Sequence, residues 1–388
     1  MSKMISSLFA VGLLGTTGVA AAPTVASGDA LFAAANFSAA ESAYASTLRS
    51  EPHNVAANFA MARIALYRNQ LDEAELHARA FAADAPSDRR ANSLLRTIAE
   101  RQNEGPDYRV TIADAEVDVP FESSDPLPEV RAIVDGKPAN LVIDTGGPGL
   151  DLAASFVKAL GIATEPAGQA AFAGGLRGDL RIGRIDKLDL GNASVRSIPI
   201  HVPPEMPPGI DGVIGTNVLY RFLSTIDYAK RRLVLRPKAA SPRFEADAEA
   251  RKAVILPMLL VPDHFIFARA RIDNAPEALF SVDTGGPGIG VDLTKDELAA
   301  AAIVPDASHP GTFDGGGGTT RTLPYIADVT LGDRTFHKLP GVYLPGDKRT
   351  RIFPFTVAGT ISQELFKRGA LTFDFSAMKL VFDAPPEP

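Results

Sequence analysis

At 388 residues the chain is longer than one core usually organises, so two or three domains are expected; its 46% hydrophobic and 22% charged content is ordinary for a soluble globular protein. A formal net charge of −7 argues against a general nucleic-acid or anionic-membrane binder, which needs surplus Lys and Arg. The lack of cysteine excludes disulfides, thiolate zinc sites, cysteine nucleophiles and a lipid anchor on a cleavage-site cysteine.

Residues 1–22 read as an export signal. Lys3 gives a positive start, residues 8–14 a short apolar run, and Ala20, Ala21 and Ala22 small residues for cleavage. The alternative is an uncleaved anchor, but the apolar run is too short to span a bilayer. Pro23 disfavours cleavage directly after Ala22 and leaves the exact site open. The expected location is outside the cytoplasm, in the periplasm of a Gram-negative bacterium, with no stable membrane insertion after cleavage. Residues 28–104 are Ala-rich, with helical spacing, and they repeat. Phe37 and Leu71, Ala40 and Ala74, and Pro52 and Pro86 are each 34 residues apart. Small Ala suits a close helix crossing, and Pro stops a helix. The period and pattern resemble tetratricopeptide repeats, which stack helical hairpins; a generic helical hairpin is the alternative. The resemblance implies a protein partner held by the repeats and a unit separable from the rest.

After Gly105-Pro106 the texture changes to short β-branched runs broken by Gly, Pro and Asp, as at residues 130–134, 141–143, 233–235 and 265–272. Many short strands with turn signals predict an all-β region. Asp135-Gly136 is a hairpin turn in which both positions want positive φ. The region is duplicated, as 106–237 and 252–388, joined by a polar linker at 238–251. One half reads ANLVIDTGGPGLDL, the other EALFSVDTGGPGIGV, with Asp144 and Asp283 139 residues apart. Each later carries an apolar pair and Gly, ending at Gly215 and at Gly359, and then an aromatic strand pair. Val119-Pro120-Phe121 corresponds to Leu256-Pro257-Met258.

Asp-Thr-Gly alone is weak evidence, but here it occurs twice, in matching halves, each time directly after an apolar strand. With the later apolar-apolar-Gly segments it resembles the pepsin and retropepsin superfamily, in particular bacterial retropepsin-like proteases. The resemblance covers about residue 114 to the C-terminus. It rests on Asp144, Thr145 and Gly146, on Asp283, Thr284 and Gly285, and on Val213-Ile214-Gly215 and Val357-Ala358-Gly359. It implies a multidomain protein: an all-β bilobal aspartic-protease fold, preceded by a small all-α helical-repeat domain, with a peptide-binding cleft between the lobes. The residue types suit that chemistry in their own right. Two carboxylates held close cannot both ionise, so one acts as base on water and the other as acid on the leaving nitrogen. The threonines suit a buried cross-lobe hydrogen-bond pair, and the glycines a tight backbone turn beside the carboxylates.

Two Gly-rich stretches, at Gly174-Gly175 and Gly315-Gly316, fall where the family's β-hairpin flap would close; the alternative is an ordinary surface turn. The six dispersed histidines form no H-E-x-x-H pair and no G-x-S-x-G elbow is present, so neither a metalloprotease nor a serine hydrolase is expected, nor any metal or cofactor. The sequence departs from the family where Gly147 and Gly286 follow Asp-Thr-Gly in place of the usual Ser, Thr or Ala, and the flap regions show no obvious tyrosine. The expected function is an exported aspartic endopeptidase acting on polypeptides. The alternative is a non-catalytic peptide-binding module of the same fold, its repeats recruiting a partner protein.

Overall fold

A computed structural model describes residues 24–102, 109–171, 177–262, 264–315, 318–346 and 352–385. The expected signal at 1–22 lies outside them. The chain begins with five helices: α1 (Val25–Ala33), α2 (Phe37–Ser50), α3 (Val55–Tyr67), α4 (Leu71–Asp84) and α5 (Arg89–Gln102). α4 repeats α2 with both ends displaced by 34 residues, which is the period of the sequence. The turns into them, at Ala35 and Asn69, share a left-handed φ of 56°. Ala40 and Ala74 are fully buried, where only a small side chain lets the helices close on each other. Asn36 and Asn54 cap α2 and α3 by accepting from the backbone N–H of Ala39 and Ala57.

The rest is β-rich and built in two matching halves. A six-stranded antiparallel sheet joins them, in the order Val117–Ser123, Arg232–Arg236, Leu223–Asp227, Ala370–Asp374, Lys379–Asp383 and Val254–Val261. Its two central strands, LSTID and ALTFD, are buried along nearly their whole length, and the polar residues they bury include Ser224, whose hydroxyl donates to Leu219 O, and the facing threonines Thr225 and Thr372. At the junction Thr225 lies opposite Thr372, their hydroxyls 2.7 Å apart, marking a pseudo-two-fold axis. Pro120 faces Arg232 as Pro257 faces Lys379, so the two prolines hold equivalent positions. The Asp135-Gly136 turn joins Glu129–Val134 to Lys137–Ile143 with φ of 48° and 80°. In each half the strand leading into Asp-Thr-Gly pairs in parallel with a short later strand, Gly212–Ile214 in the first and Gly359–Ser362 in the second.

The helical segment docks against the β region, chiefly its second half. Phe32, Phe37 and Tyr67 pack around Phe355 of the second half, with ring centroids 5.1–6.1 Å away, and Phe355 in turn meets Phe267 and Phe353. Thr356 donates its backbone N–H to Ala33 O (2.8 Å), and Arg269 donates to Ala35 O (2.7 Å). Asn69 reaches both halves: it donates to Phe375 O and accepts from the Tyr220 hydroxyl. Arg101 of α5 donates to Leu66 O and Leu260 O. Aromatic side chains of this size contribute about 2 kcal/mol each when buried, so docking of the helices is a substantial part of the fold. The stretch expected as a linker contains a helix, Ser241–Ala250, whose Ser241 hydroxyl donates to Asp374.

Candidate active site

Asp144 and Asp283 each end an apolar strand, and the pseudo-two-fold brings the two loops face to face. The two carboxyl groups lie close enough to interact directly, each beside the glycine of the opposite loop. Both residues are half-buried, so solvent still reaches them. Each carboxylate accepts the N–H two residues on, Gly146 N to Asp144 Oδ1 (2.7 Å) and Gly285 N to Asp283 Oδ1 (2.8 Å).

Gly146 and Gly285 are needed for a reason other than the tight turn expected from sequence, since neither has positive φ. A Cβ on Gly146 would sit 2.6 Å from Asp283 Oδ2, and one on Gly285 2.2 Å from the Asp144 carboxyl carbon. Each loop's glycine makes room for the other loop's carboxylate. The threonines form the cross-lobe pair: Thr145 N donates to Thr284 Oγ1 (3.1 Å) and Thr284 N to Thr145 Oγ1 (3.0 Å). Thr145 Oγ1 donates onward to Val282 O (3.3 Å). Both threonines are fully buried, so these bonds act in a low dielectric and fix the loops against each other.

The electrostatics follow from this closeness. Burial, and next the charge of Asp283 beside it, push Asp144 well above the usual carboxylate range; the hydrogen bond with Asp283 acts the same way, and the Gly146 N–H pulls against them. The pair therefore retains one proton at a pH where isolated carboxylates would have lost both. Asp151, hydrogen-bonded to His201 (3.1 Å), adds a smaller push in the same direction.

One expected correspondence is corrected. The register sets Leu141 opposite Gly212 and Phe280 opposite Gly359, so Gly359 is the counterpart of Gly212. A Cβ on either would collide with a backbone carbonyl of its neighbour strand, that of Asp151 or of Asp292. The counterpart of Gly215 is Ser362. The true counterpart of Val213-Ile214-Gly215 is Thr360-Ile361-Ser362, which has no glycine, while Val357-Ala358-Gly359 three residues earlier carries the apolar-apolar-Gly pattern, which is why the sequence alone misplaces it. Three further residues escaped the sequence reading. Thr216 Oγ1 donates to Thr145 O (2.8 Å) beneath the first loop, and Ser362 Oγ donates to Asp283 O (2.6 Å) beneath the second. Tyr228 is buried, its hydroxyl beside Thr284 but making no hydrogen bond of ordinary geometry, and burial together with the charges of Asp144, Asp283 and Glu364 pushes its phenol up against a small opposing pull from Thr284. Its match in the second half is Phe375, and that swap of Tyr for Phe is the only sequence signal it gives.

Antiparallel strand pairs flank the stretches read as flap tips in both halves, Glu165–Ala171 with Arg177–Leu190 and Gly311–Gly315 with Gly318–Leu331. Gly315 ends its strand paired with Gly318, whereas Gly174, Gly175 and Gly316 lie outside the described residues. Among the described residues no three His, Cys, Asp or Glu converge as metal ligands, and no helix is long and apolar enough to cross a membrane.

With this geometry in view, comparison with known proteins is informative for the first half. The family described as "Aspartyl protease" matches residues 130–218, from the hairpin that precedes the first Asp-Thr-Gly to just past Gly215 and Thr216. No curated protein sequence matches significantly. Among solved structures the chain is similar to a retropepsin-like aspartic protease from Rickettsia conorii, at 18% identity and TM-score 0.26, covering 34% of this chain and 92% of that one. It is also similar to the aspartic proteinase from Irpex lacteus, at 12% identity and TM-score 0.43, covering 70% of this chain and 97% of that one.

Proposed function

We propose that the protein is an aspartic endopeptidase that hydrolyses peptide bonds with a water activated between Asp144 and Asp283. One observation carries the reading: two matching loops present carboxylates in mutual contact, one held well above the usual carboxylate range, each facing the glycine of the opposite loop. The ionised carboxylate takes a proton from water as the water oxygen bonds to the peptide carbonyl carbon. The protonated carboxyl supplies a proton to the nitrogen as the C–N bond breaks, and the products are an acid and an amine. Because one chain supplies both loops, a monomer is expected to be active. The substrate is polypeptide, and the compartment, from the signal read at residues 1–22, is the periplasm. The helical segment is proposed to hold a protein partner on the surface it does not use for docking.

Digestion of an unstructured protein by the purified chain tests the reading, with Asp144→Asn and Asp283→Asn as controls. Cleavage by the wild type and by neither variant supports it. A wild type that binds the chain without cutting it would make the site a peptide-binding module.

A further inference from the structure

The two active-site loops are supported unequally, and Ser362 is the cause. It lies opposite Asp283 in the parallel strand pair and is 2% exposed. Its backbone N–H donates to Gly290 O (2.9 Å), at the far end of the loop. Its hydroxyl donates to Asp283 O at the near end (2.6 Å), with a longer contact to Gly286 O (3.4 Å). One residue thus ties both ends of the loop that carries Asp283.

That hydroxyl also fills the space of a missing side chain. A Cβ on Gly286 would lie 2.4 Å from Ser362 Oγ and 3.2 Å from its Cβ. In the first loop the positions are reversed. A Cβ on Gly147 would meet nothing closer than Asp144 O at 3.4 Å, while one on Gly215 would strike Gly147 O at 2.4 Å and Gly149 O at 2.6 Å. Loop length explains the difference. Leu150 and Val291 pair with the equivalent Ile214 and Ile361, so the second loop has two more residues, Ile289 and Gly290. The shorter loop lies directly on Gly215; the longer one leaves room for a serine side chain.

We propose that Ser362 is a positioning residue for Asp283, its hydroxyl standing in for the side chain that position 286 lacks, and that Gly286 and Ser362 form one exchangeable unit with no counterpart at Gly147 and Gly215. The inference rests on the protease reading. It is tested with Gly286→Ser, Ser362→Gly and the double variant that moves the hydroxyl from strand to loop, measuring kcat, KM and thermal unfolding of each. Gly286→Ser alone forces two side chains into one space, and Ser362→Gly alone frees the loop. Each lowers kcat roughly tenfold or more with KM little changed, because the loss is in placement of the reacting group. The double variant recovers kcat to within about threefold of wild type, a non-additivity that only coupled neighbours give. Gly147→Ser loses less than Gly286→Ser. Additive losses in kcat, or recovery of thermal stability without recovery of kcat, overturn the role of Ser362 while the wild type remains an active protease. A wild type that cleaves nothing instead sinks the protease reading, and this role with it.

Discussion

The two halves of the β region carry the same elements in the same order, yet they are not equivalent. The first closes a short loop over a bare Gly215 and braces it with Thr216, whose hydroxyl donates to Thr145 O. The second spans a longer loop from Ser362 and bears the docked helices on its outer face through Phe355. At the site itself they keep the carboxylates, the glycines that admit them and the threonine pair, and beyond it the strand framework that holds Gly212 and Gly359 in equivalent places. Duplication preserves what must meet at the two-fold and leaves the supporting shell free to differ.

The largest effect expected is one in which the halves are equal. Asp144→Asn and Asp283→Asn should each lower peptide hydrolysis by roughly 10³-fold or more, since acid and base are both required. A tenfold loss in one and a complete loss in the other, at equal folded fraction, would mean that one loop suffices.

A large unequal effect should follow from the helical docking. Phe355→Ala removes the ring at the centre of the aromatic cluster and should cost about 3–5 kcal/mol. Hydrogen exchange should show lost protection in α1–α3 and in the second-half strands Phe265–Ile272 and Ala278–Asp283, with the first half unchanged. Uniform loss across both halves would show them to be one cooperative unit instead.

The threonine pair offers a sharper test of symmetry. Thr145→Val and Thr284→Val each orphan a buried N–H of the opposite loop, at roughly 1–3 kcal/mol apiece. Their double variant should cost less than the sum, because the two bonds share one environment. Chemical denaturation of the four proteins decides it.

A smaller effect depends on pH. The folded value of Asp144 lies above the unfolded one, near 3.9 for a free Asp side chain. The folded state therefore binds that proton more tightly. The stability this confers is complete below the unfolded value and is lost as pH rises through the folded one. Asp144→Asn takes no part in that titration, so its melting temperature should gain on the wild type as pH rises from acid toward neutral. A constant difference across that range would contradict the raised value. The smallest change expected is Tyr228→Phe, which removes a buried hydroxyl that makes no hydrogen bond of ordinary geometry and only a weak interaction with Thr284, and should leave stability within about 0.5 kcal/mol or raise it.

Much of this was legible in the sequence where a pattern has one physical solution. The 34-residue period fixed the helix pairs because a fully buried Ala recurs wherever two helices cross, and α4 falls where α2 predicts. Asp135-Gly136 announced its turn because both positions need positive φ. The doubled Asp-Thr-Gly named the aspartates, the threonines and the glycines together, and their 139-residue spacing placed one set in each half.

Other features were decided only in three dimensions. The sequence pattern aligned Gly359 with Gly215, and strand pairing moves the match by three residues, making Ser362 rather than Gly359 the match of Gly215. The glycines beside the aspartates looked like turn formers, whereas the opposite loop's carboxylate is what excludes a side chain there. The repeat gives no sign of how the helices dock, because the aromatic face that fixes them to the second half is shared between segments more than three hundred residues apart, as Phe37 and Phe355 are. Local chemistry sets which residues can turn, cap or ionise. Which of them touch across the two-fold, and how closely, depends on the packing of strands far apart in the chain, and no spacing along the sequence records that distance.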